Sequence, residues 1–324
     1  MFNKITHRFS WFEPQSYKIF LISKKSFTFD SKFILQKYVM PEQIMKKYKL
    51  GLALGGGGAR GFAHIGVLKL LDDCGLRPDI IVGTSAGALM GTLYADGYKP
   101  DEIMKLFNGR EFSEFASMQI PKMGLFDSSK FHNYIKKIVR AKDLSQLQIP
   151  VTVMTTNLDS GEAHAFTHGP IPEIVTASCS IPIIFNPIII NGTHYVDGGL
   201  FNNFPVSIIR NECEAVIGSN VSPVVPDKYK KTIVGIAERS YHYLFKANTN
   251  KDRELCDILI ETDEFSDYKM FDIDKVETIA QIGYDAAVRA FDDFLNNKPI
   301  ASLIKKYSTK KINMTGDLTT RIKK

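Results

Sequence analysis

The chain has 324 residues, and its 41 Lys and Arg residues against 35 Asp and Glu residues give a formal net charge of +6 at pH 7. No apolar run approaches the roughly 18 residues that a transmembrane helix needs, and there is no internal repeat or low-complexity tract. The sequence therefore excludes a helical membrane span, a solenoid and a compositionally biased disordered protein.

The positive charge is concentrated at the two ends of the chain. Residues 1–49 carry a net charge of +7 and residues 305–324 carry +6, whereas the stretch between them carries −7. Solvated tails are the favoured interpretation of such ends, and peripheral contact with the anionic head groups of a membrane is the alternative. We expect no nucleic-acid partner, and the sequence does not predict an oligomeric state.

The cysteines and the first residues bear on the cellular compartment. Four cysteines, at positions 74, 179, 213 and 256, lie far apart without a C-x-x-C pair, so we expect reduced thiols and a cytoplasmic protein. Near the start, the longest apolar stretch covers residues 19–22, too few for the core of a signal peptide. Residues 1–48 are predicted to be a basic extension, with Met40 and Met45 as alternative starting points of the native chain.

A serine flanked by glycines is the sharpest local pattern. Ser85 stands between Gly83 and Gly87, after a run at residues 78–82 that predicts a buried strand and before a run at residues 88–94 that predicts a helix. A nucleophile on a sharp strand-to-helix turn requires small residues at both flanking positions, since a side chain there would collide with the backbone. The alternative interpretation is an ordinary turn whose serine caps the helix.

A glycine-rich turn precedes this pattern. Residues 49–54 predict a first strand, residues 55–61 a turn, and residues 62–71 a helix. Such a turn directs several backbone N–H groups toward one point and suits an anion. The anion is either the pyrophosphate of a dinucleotide or the transient oxyanion of an acyl transfer at Ser85.

The oxyanion is the favoured interpretation. Gly56, Gly58 and Gly61 satisfy the G-x-G-x-x-G spacing of dinucleotide sites, so a nucleotide- or phosphate-binding regulatory module remains the alternative. A dinucleotide site also needs an acidic residue at the carboxyl end of the next strand to bind the ribose. Asp79 stands at the beginning of that strand instead.

A carboxylate follows a predicted hairpin. Residues 187–190 and 193–196 are strand-like runs separated by Asn-Gly, the strongest short signal for a hairpin. The second run ends at Asp197, and Gly198 and Gly199 allow the chain to turn away from it. We therefore expect Asp197 to face a cleft at the same edge of the sheet as the predicted nucleophile.

These three motifs, in this order, resemble the patatin-like phospholipase family of serine lipid acyl hydrolases. The likeness extends from about residue 50 to residue 211 and continues more weakly to about residue 294. It is also carried by residues 63–68, 177–182 and 200–206. The resemblance implies an α/β protein with three layers, α/β/α, around a mixed central sheet. It further implies hydrolysis of acyl esters of lipids, with a lipid or ester substrate and with no cofactor and no metal.

The family pattern assigns roles to particular residues. It implies a Ser-Asp dyad at strand ends without a histidine, in which Ser85 is the nucleophile and Asp197 the base that takes its proton. The backbone N–H groups of Gly57 and Gly58, with that of Ala59, would form the oxyanion hole. The other motif positions are Gly56, Arg60, Gly61, Gly83, Gly87, Gly198 and Gly199, among which the arginine is expected to have a structural role.

A Ser-His-Asp triad is the rival mechanism. Of the seven histidines, only His242 follows both Ser85 and Asp197, as the order of the α/β-hydrolase triad requires. It lies in an aromatic run of helical character, where a packed or half-exposed histidine is the ordinary outcome. We therefore assign no histidine to catalysis.

The motifs must share one site, so we predict one catalytic domain over residues 49–300. Its motif-bearing part is 50–211, its helical completion is 212–300 and includes an amphipathic helix at 275–296, and a basic tail covers 301–324. Residues 107–125 are rich in Phe and Met between glycine and proline breaks. They predict either a mobile lid or a loop packed on the core, with the packed loop favoured.

Overall fold

The computed structural model describes residues 46–118, 123–223, 231–296 and 306–309. Most of the predicted basic extension and most of the predicted C-terminal tail lie outside these ranges. The described residues, all of which lie within 46–324, belong to one compact unit.

The described part of the chain forms eleven strands and eight α-helices. The strands are β1 Tyr48–Leu54, β2 Ile80–Thr84, β3 Ser117–Met118, β4 Gly124–Asp127, β5 Val151–Asn157, β6 Glu162–Phe166, β7 Ile183–Phe185, β8 Ile188–Ile190, β9 Thr193–Asp197, β10 Cys213–Ser219 and β11 Ile258–Ile260. The helices are α1 Ala63–Asp73, α2 Ala86–Ala95, α3 Pro100–Phe107, α4 Ser129–Ile138, α5 Ile171–Ser178, α6 Val206–Arg210, α7 Ile233–Glu254 and α8 Val276–Asn296.

The central sheet is mixed. Its strand order is β11-β10-β1-β2-β5-β9-β8, and β6 pairs with β5 off this path. The five strands from β11 to β5 are parallel, whereas β6 and β9 pair antiparallel with β5 and β8 pairs antiparallel with β9. A small second sheet has the order β3-β4-β7. The mixed sheet predicted from the sequence is confirmed.

Apolar side chains cover both faces of the central sheet. Along β1, Leu50, Leu52 and Leu54 join the larger buried cluster, which includes side chains from α1, α2, α3, α4, α5 and α8. Ala53 points the other way and joins a smaller cluster with Val206 and Ile209 of α6. Because a strand alternates its side chains between two faces, burial on both faces gives the three layers α/β/α.

Local sequence signals placed most elements near the site correctly. The Asn-Gly hairpin joins β8 to β9, and Asn191 and Gly192 have φ values of 51° and 81°, as a tight two-residue turn requires. The helix predicted after the glycine-rich turn begins later than expected. Gly58–Phe62 forms a 3₁₀ turn first, and α1 starts at Ala63.

The segment rich in Phe and Met is divided between core and surface. Phe107 ends α3 and is buried, and Phe115 packs on it with ring centroids 6.2 Å apart. Met118 and Met123 are exposed on either side of residues 119–122, which lie outside the described chain. Packing of the first half on the core agrees with the favoured interpretation, and movement as a lid stays a prediction.

None of the helices in the described ranges combines the length and the apolar character needed to cross a bilayer.

Candidate active site

Ser85 occupies a strained turn between β2 and α2. Its φ of 53° and ψ of −123° lie outside the regions that residues other than glycine usually adopt, and such strain is concentrated at functional sites. A Cβ atom at Gly83 would lie 2.6 Å from the Ala88 nitrogen, and one at Gly87 would lie 2.2 Å from the Leu54 oxygen. Both flanking glycines are therefore required by contacts with the backbone.

A second serine holds this turn in place. The Ser85 N–H donates to the Ser178 hydroxyl oxygen at 2.8 Å, and that hydroxyl donates to the Met154 carbonyl at 2.6 Å. Ser178 is fully buried at the end of α5. Ser178 lies in the stretch 177–182 that carries the family resemblance, but the role of its side chain was not predicted, because its contacts with Ser85 and Met154 arise only in the tertiary structure.

Asp197 ends β9 and is 1% exposed. Its Oδ1 accepts the Gly199 N–H at 2.7 Å, whereas its Oδ2 is buried and has no hydrogen-bond partner among the described residues. Burial raises the pKa of Asp197 from 3.8 to about 7, although the Gly199 N–H and the nearby Ser85 hydroxyl both act to lower it. The Ser85 hydroxyl is thus near the Asp197 carboxylate, without a full hydrogen bond to its Oδ2.

The glycine-rich turn leaves two backbone donors free. The N–H groups of Gly57 and Gly58 donate to no acceptor among the described residues, and Gly58 lines the same cavity as Ser85. The Ala59 N–H is already bonded to the Met270 carbonyl at 2.8 Å. We therefore leave Ala59 out of the oxyanion hole proposed below, because its N–H already has an acceptor.

The other motif residues of the turn have structural contacts. The buried Arg60 side chain donates from Nε to the Tyr268 carbonyl at 2.8 Å, which agrees with the expected structural role. A Cβ at Gly61 would lie 2.3 Å from the Ala86 Cβ, so this glycine allows the turn to approach the start of α2.

An apolar cavity opens beside Ser85. Aromatic rings form much of its wall, and no charged side chain of the described chain lines it. Its lining includes Phe62, Phe107, Phe112, Phe115, Phe131, Phe185 and Phe271. Cys179 also lines the cavity close to Ser85, and burial raises the pKa of its thiol, which disfavours a thiolate nucleophile. The wall suits an acyl chain rather than a charged head group.

Two histidines of the described chain bond to groups other than Ser85 and Asp197. His64 is buried and bridges the Gly55 carbonyl at 2.8 Å and the Ser219 hydroxyl at 3.0 Å, and burial lowers its pKa to about 4. His194 bonds to Asp159 on the surface. The side chain of His242 lies outside the described part of the structure, so its exclusion stays a prediction.

The nucleotide alternative gains no support from Asp79. Its Oδ2 accepts the backbone N–H groups of Lys49 at 3.0 Å and Leu50 at 2.8 Å, so the carboxylate fixes the start of β1. This position is far along the strand from the glycine-rich turn, which follows the other end of β1.

A strained serine after a parallel strand and before a helix defines the class of α/β proteins with a nucleophile elbow. Within this class, residues 52–209 match the family model of the patatin-like phospholipases. The chain therefore carries a domain of the patatin-like phospholipase family, with limits close to the 50–211 expected from the motifs.

Proteins from other organisms are similar in sequence to this domain. Lysophospholipase NTE1 of Yarrowia lipolytica is 30% identical over 203 residues, which are 60% of this chain and 14% of that protein. An uncharacterized NTE family protein of Mycobacterium tuberculosis is 34% identical over 164 residues, 50% of this chain and 45% of that protein. The chain thus spans less than half the length of either relative. VipD from Legionella pneumophila aligns with 81% of this chain and 67% of its own, at a TM-score of 0.42 and 14% identity.

Proposed function

We propose that the protein is a serine hydrolase that cleaves acyl esters of lipids through a dyad of Ser85 and Asp197. The observation that carries this proposal is the buried Oδ2 of Asp197, which has no hydrogen-bond partner among the described residues. Its carboxylate is near the hydroxyl of Ser85, the serine of a strained turn. A buried carboxylate whose pKa is raised toward neutrality is a competent general base at physiological pH.

In the acylation step, the Ser85 hydroxyl attacks the ester carbonyl and its proton passes to Oδ2 of Asp197. The free N–H groups of Gly57 and Gly58 stabilise the oxyanion that forms on the carbonyl oxygen. Asp197 then returns the proton to the leaving alcohol as the ester bond breaks. The acyl group remains on Ser85.

In the deacylation step, Asp197 takes a proton from a water molecule that attacks the acyl carbonyl. The same two N–H groups stabilise the second oxyanion, and its collapse releases the carboxylic acid while Asp197 returns the proton to Ser85. One carboxylate therefore serves both half-reactions, and the neutral Ser85 hydroxyl is regenerated.

The cavity limits the substrate class. An acyl chain can replace water against the phenylalanine wall, and a charged head group would remain outside because no described charge lines the cavity. We include lysophospholipids and phospholipids among the substrates, since the matching family is that of the patatin-like phospholipases and one relative is named a lysophospholipase. Contact with a membrane surface and a cytoplasmic location belong to the same proposal.

Labelling with a fluorophosphonate probe tests the proposal at the level of the nucleophile. The parent protein should become covalently labelled and the Ser85→Ala variant should not. Hydrolysis should then be measured on phospholipids, lysophospholipids, triacylglycerols and short p-nitrophenyl esters. A folded parent protein that neither reacts with the probe nor hydrolyses any of these esters would rule the proposal out.

A further inference from the structure

The peptide bond between Gly56 and Gly57 is held by two side chains. The Gly56 carbonyl oxygen accepts a hydrogen bond from the Ser222 hydroxyl at 2.7 Å and another from the Asn203 side-chain nitrogen at 3.2 Å. Asn203 is fully buried and Ser222 is 4% exposed. Both lone pairs of one buried carbonyl are therefore used by side chains from distant parts of the sequence.

Asn203 holds the same glycine from a second direction. Its backbone carbonyl accepts the Gly56 N–H at 3.0 Å, and its own N–H donates to the side-chain oxygen of Asn248 at 3.1 Å. A Cβ at Gly56 would lie 2.5 Å from Oδ1 of Asn203, so the asparagine side chain lies directly against the glycine. This contact links the segment after Asp197 to the glycine-rich turn.

Ser222 is fixed just beyond the end of β10. Its N–H donates to the Asn220 side-chain oxygen at 3.2 Å, and the Asn220 N–H donates to the Ile260 carbonyl at 3.0 Å. Asn220 is 2% exposed. The donor hydroxyl thus projects from a buried turn whose own hydrogen bonds are made to Asn220 and, through it, to β11, and not to the glycine-rich turn.

The geometry of a peptide bond connects these contacts to the active site. The described chain contains no cis peptide bond, so the Gly56 carbonyl and the Gly57 N–H point in opposite directions. The carbonyl faces Asn203 and Ser222, and the N–H faces away from them with no acceptor among the described residues. Donors on the carbonyl also polarise the amide, which makes its N–H a stronger donor.

We propose that Ser222 and Asn203 are positioning residues of the oxyanion hole, which fix the plane of the Gly56–Gly57 peptide and strengthen the Gly57 N–H as a donor. This inference rests on the proposed acyl hydrolysis. The two side chains then stabilise the transition state, in which the oxyanion exists, and contribute little to the binding of the ester.

The test compares variants at Ser222 in steady-state hydrolysis of one ester. Ser222→Ala should lower kcat by about 10-fold and leave KM within about twofold, because the lost contact matters only when charge develops on the carbonyl oxygen. Ser222→Thr retains the hydroxyl and should keep kcat within about threefold of the parent value. Thr176→Val is the matched control, since its buried hydroxyl donates to the Pro172 carbonyl within α5 and to no other acceptor among the described residues, and it should leave kcat unchanged.

Asn203→Asp provides a second measurement that does not depend on Ser222. It preserves the size of the side chain and replaces the donor to Gly56 by a carboxyl oxygen, so kcat should fall by at least about 10-fold at constant KM. Thermal denaturation of each variant establishes that it is folded under assay conditions. If the variant at one position fails to fold, the folded variant at the other position provides the test.

Two results would overturn the inference. One is a folded Ser222→Ala or Asn203→Asp protein with the kcat of the parent, and the other is a rise in KM with kcat unchanged. Both differ from failure of the proposed function, in which the parent protein itself shows no hydrolysis that depends on Ser85. That third result would overturn both proposals.

Discussion

Ser85 and Asp197 meet at two strand ends that lie on the same edge of strand β5, since β6 pairs with the other edge at both levels. Thr84 pairs with Met154 of β5, and Asp197 pairs with the next residue of β5, Thr155. The two residues reach this level from opposite directions, since β2 is parallel to β5 and β9 is antiparallel to it. The expected cleft is therefore formed where the ends of β2 and β9 meet along one edge of a longer strand.

The pH dependence of hydrolysis should follow the ionisation of Asp197. The raised pKa of about 7 means that the base form is lost as the pH falls, so kcat/KM should decline by about tenfold per pH unit below that value. A profile of kcat/KM between pH 4 and 9 measures this. A rate that stays flat down to pH 5 would contradict a base with this pKa.

The same residue should lower stability at neutral pH. Because the folded pKa of Asp197 lies above its unfolded value of 3.8, the unfolded state binds fewer protons between the two values, and stability falls as the pH rises through that window. Asp197→Asn removes this cost and should stabilise the fold above pH 7 by on the order of 2 to 4 kcal/mol. Urea unfolding at pH 8 and at pH 4 tests this, and the gain should disappear at the lower pH.

Substitutions in the glycine-rich turn should separate the oxyanion hole from a nucleotide site. A Cβ at Gly58, where φ is 58°, would lie 2.4 Å from the Met270 oxygen, and one at Gly57 would lie 2.8 Å from Val221. Gly57→Ala or Gly58→Ala should displace the N–H donors and lower kcat by about 100- to 1,000-fold.

Gly161→Ala is the matched control for the turn variants. Its φ of 72° is also positive, and a Cβ there would meet nothing within 4 Å, so it tests the backbone strain alone and should retain full activity. Calorimetry should detect no binding of NAD or ATP to any of these proteins. Tight nucleotide binding that Gly58→Ala abolished, with esterase activity intact, would contradict the proposed role of the turn.

Removal of the Ser178 hydroxyl should weaken both the fold and the reaction. Ser178→Ala leaves the buried Ser85 N–H without its acceptor, which costs about 1 to 3 kcal/mol of stability. The strained φ of Ser85 then loses a constraint, so kcat should fall by about 10-fold or more. Thermal melting and hydrolysis are measured in parallel with the control Thr176→Val. Unchanged melting and unchanged kcat would contradict the role assigned to Ser178.

The features that short sequence patterns determine could be predicted from the sequence. The Ser85 elbow, the hairpin at Asn191 and the helix α8 follow from short-range propensity and from glycine geometry, and the structure has them. The occupied N–H of Ala59 was not predictable, because its partner Met270 lies more than 200 residues away. Contacts of this kind depend on the packing of the finished fold.

The contacts of the residues around Ser85 and Asp197 also could not be predicted from local sequence. Asn203 lies in the stretch 200–206 that carries the family resemblance, and Ser222 lies in none of the motifs, so neither residue has a role predicted from the sequence. Their common contact with Gly56 arises from the pairing of β1 with β10 and from the chain after Asp197. The phenylalanine cavity uses Phe107, Phe112 and Phe115 of the segment 107–125, for which the sequence predicts only a lid or a packed loop. Its complete wall also uses side chains such as Phe185 and Phe271, which only the tertiary structure brings together.

A double-mutant cycle on Ser85 and Asp197 tests the central claim most directly. Hydrolysis of one acyl ester is measured for the parent, Ser85→Ala, Asp197→Asn and the double variant, with folding checked by circular dichroism and His242→Ala as the control for a triad. Because the two residues act as a unit, each single variant should lose at least about 1,000-fold in kcat, and the double variant should be little worse than either. The His242→Ala protein should keep most of its activity. Losses that multiply in the double variant, or a folded His242→Ala protein as inactive as Ser85→Ala, would contradict the dyad.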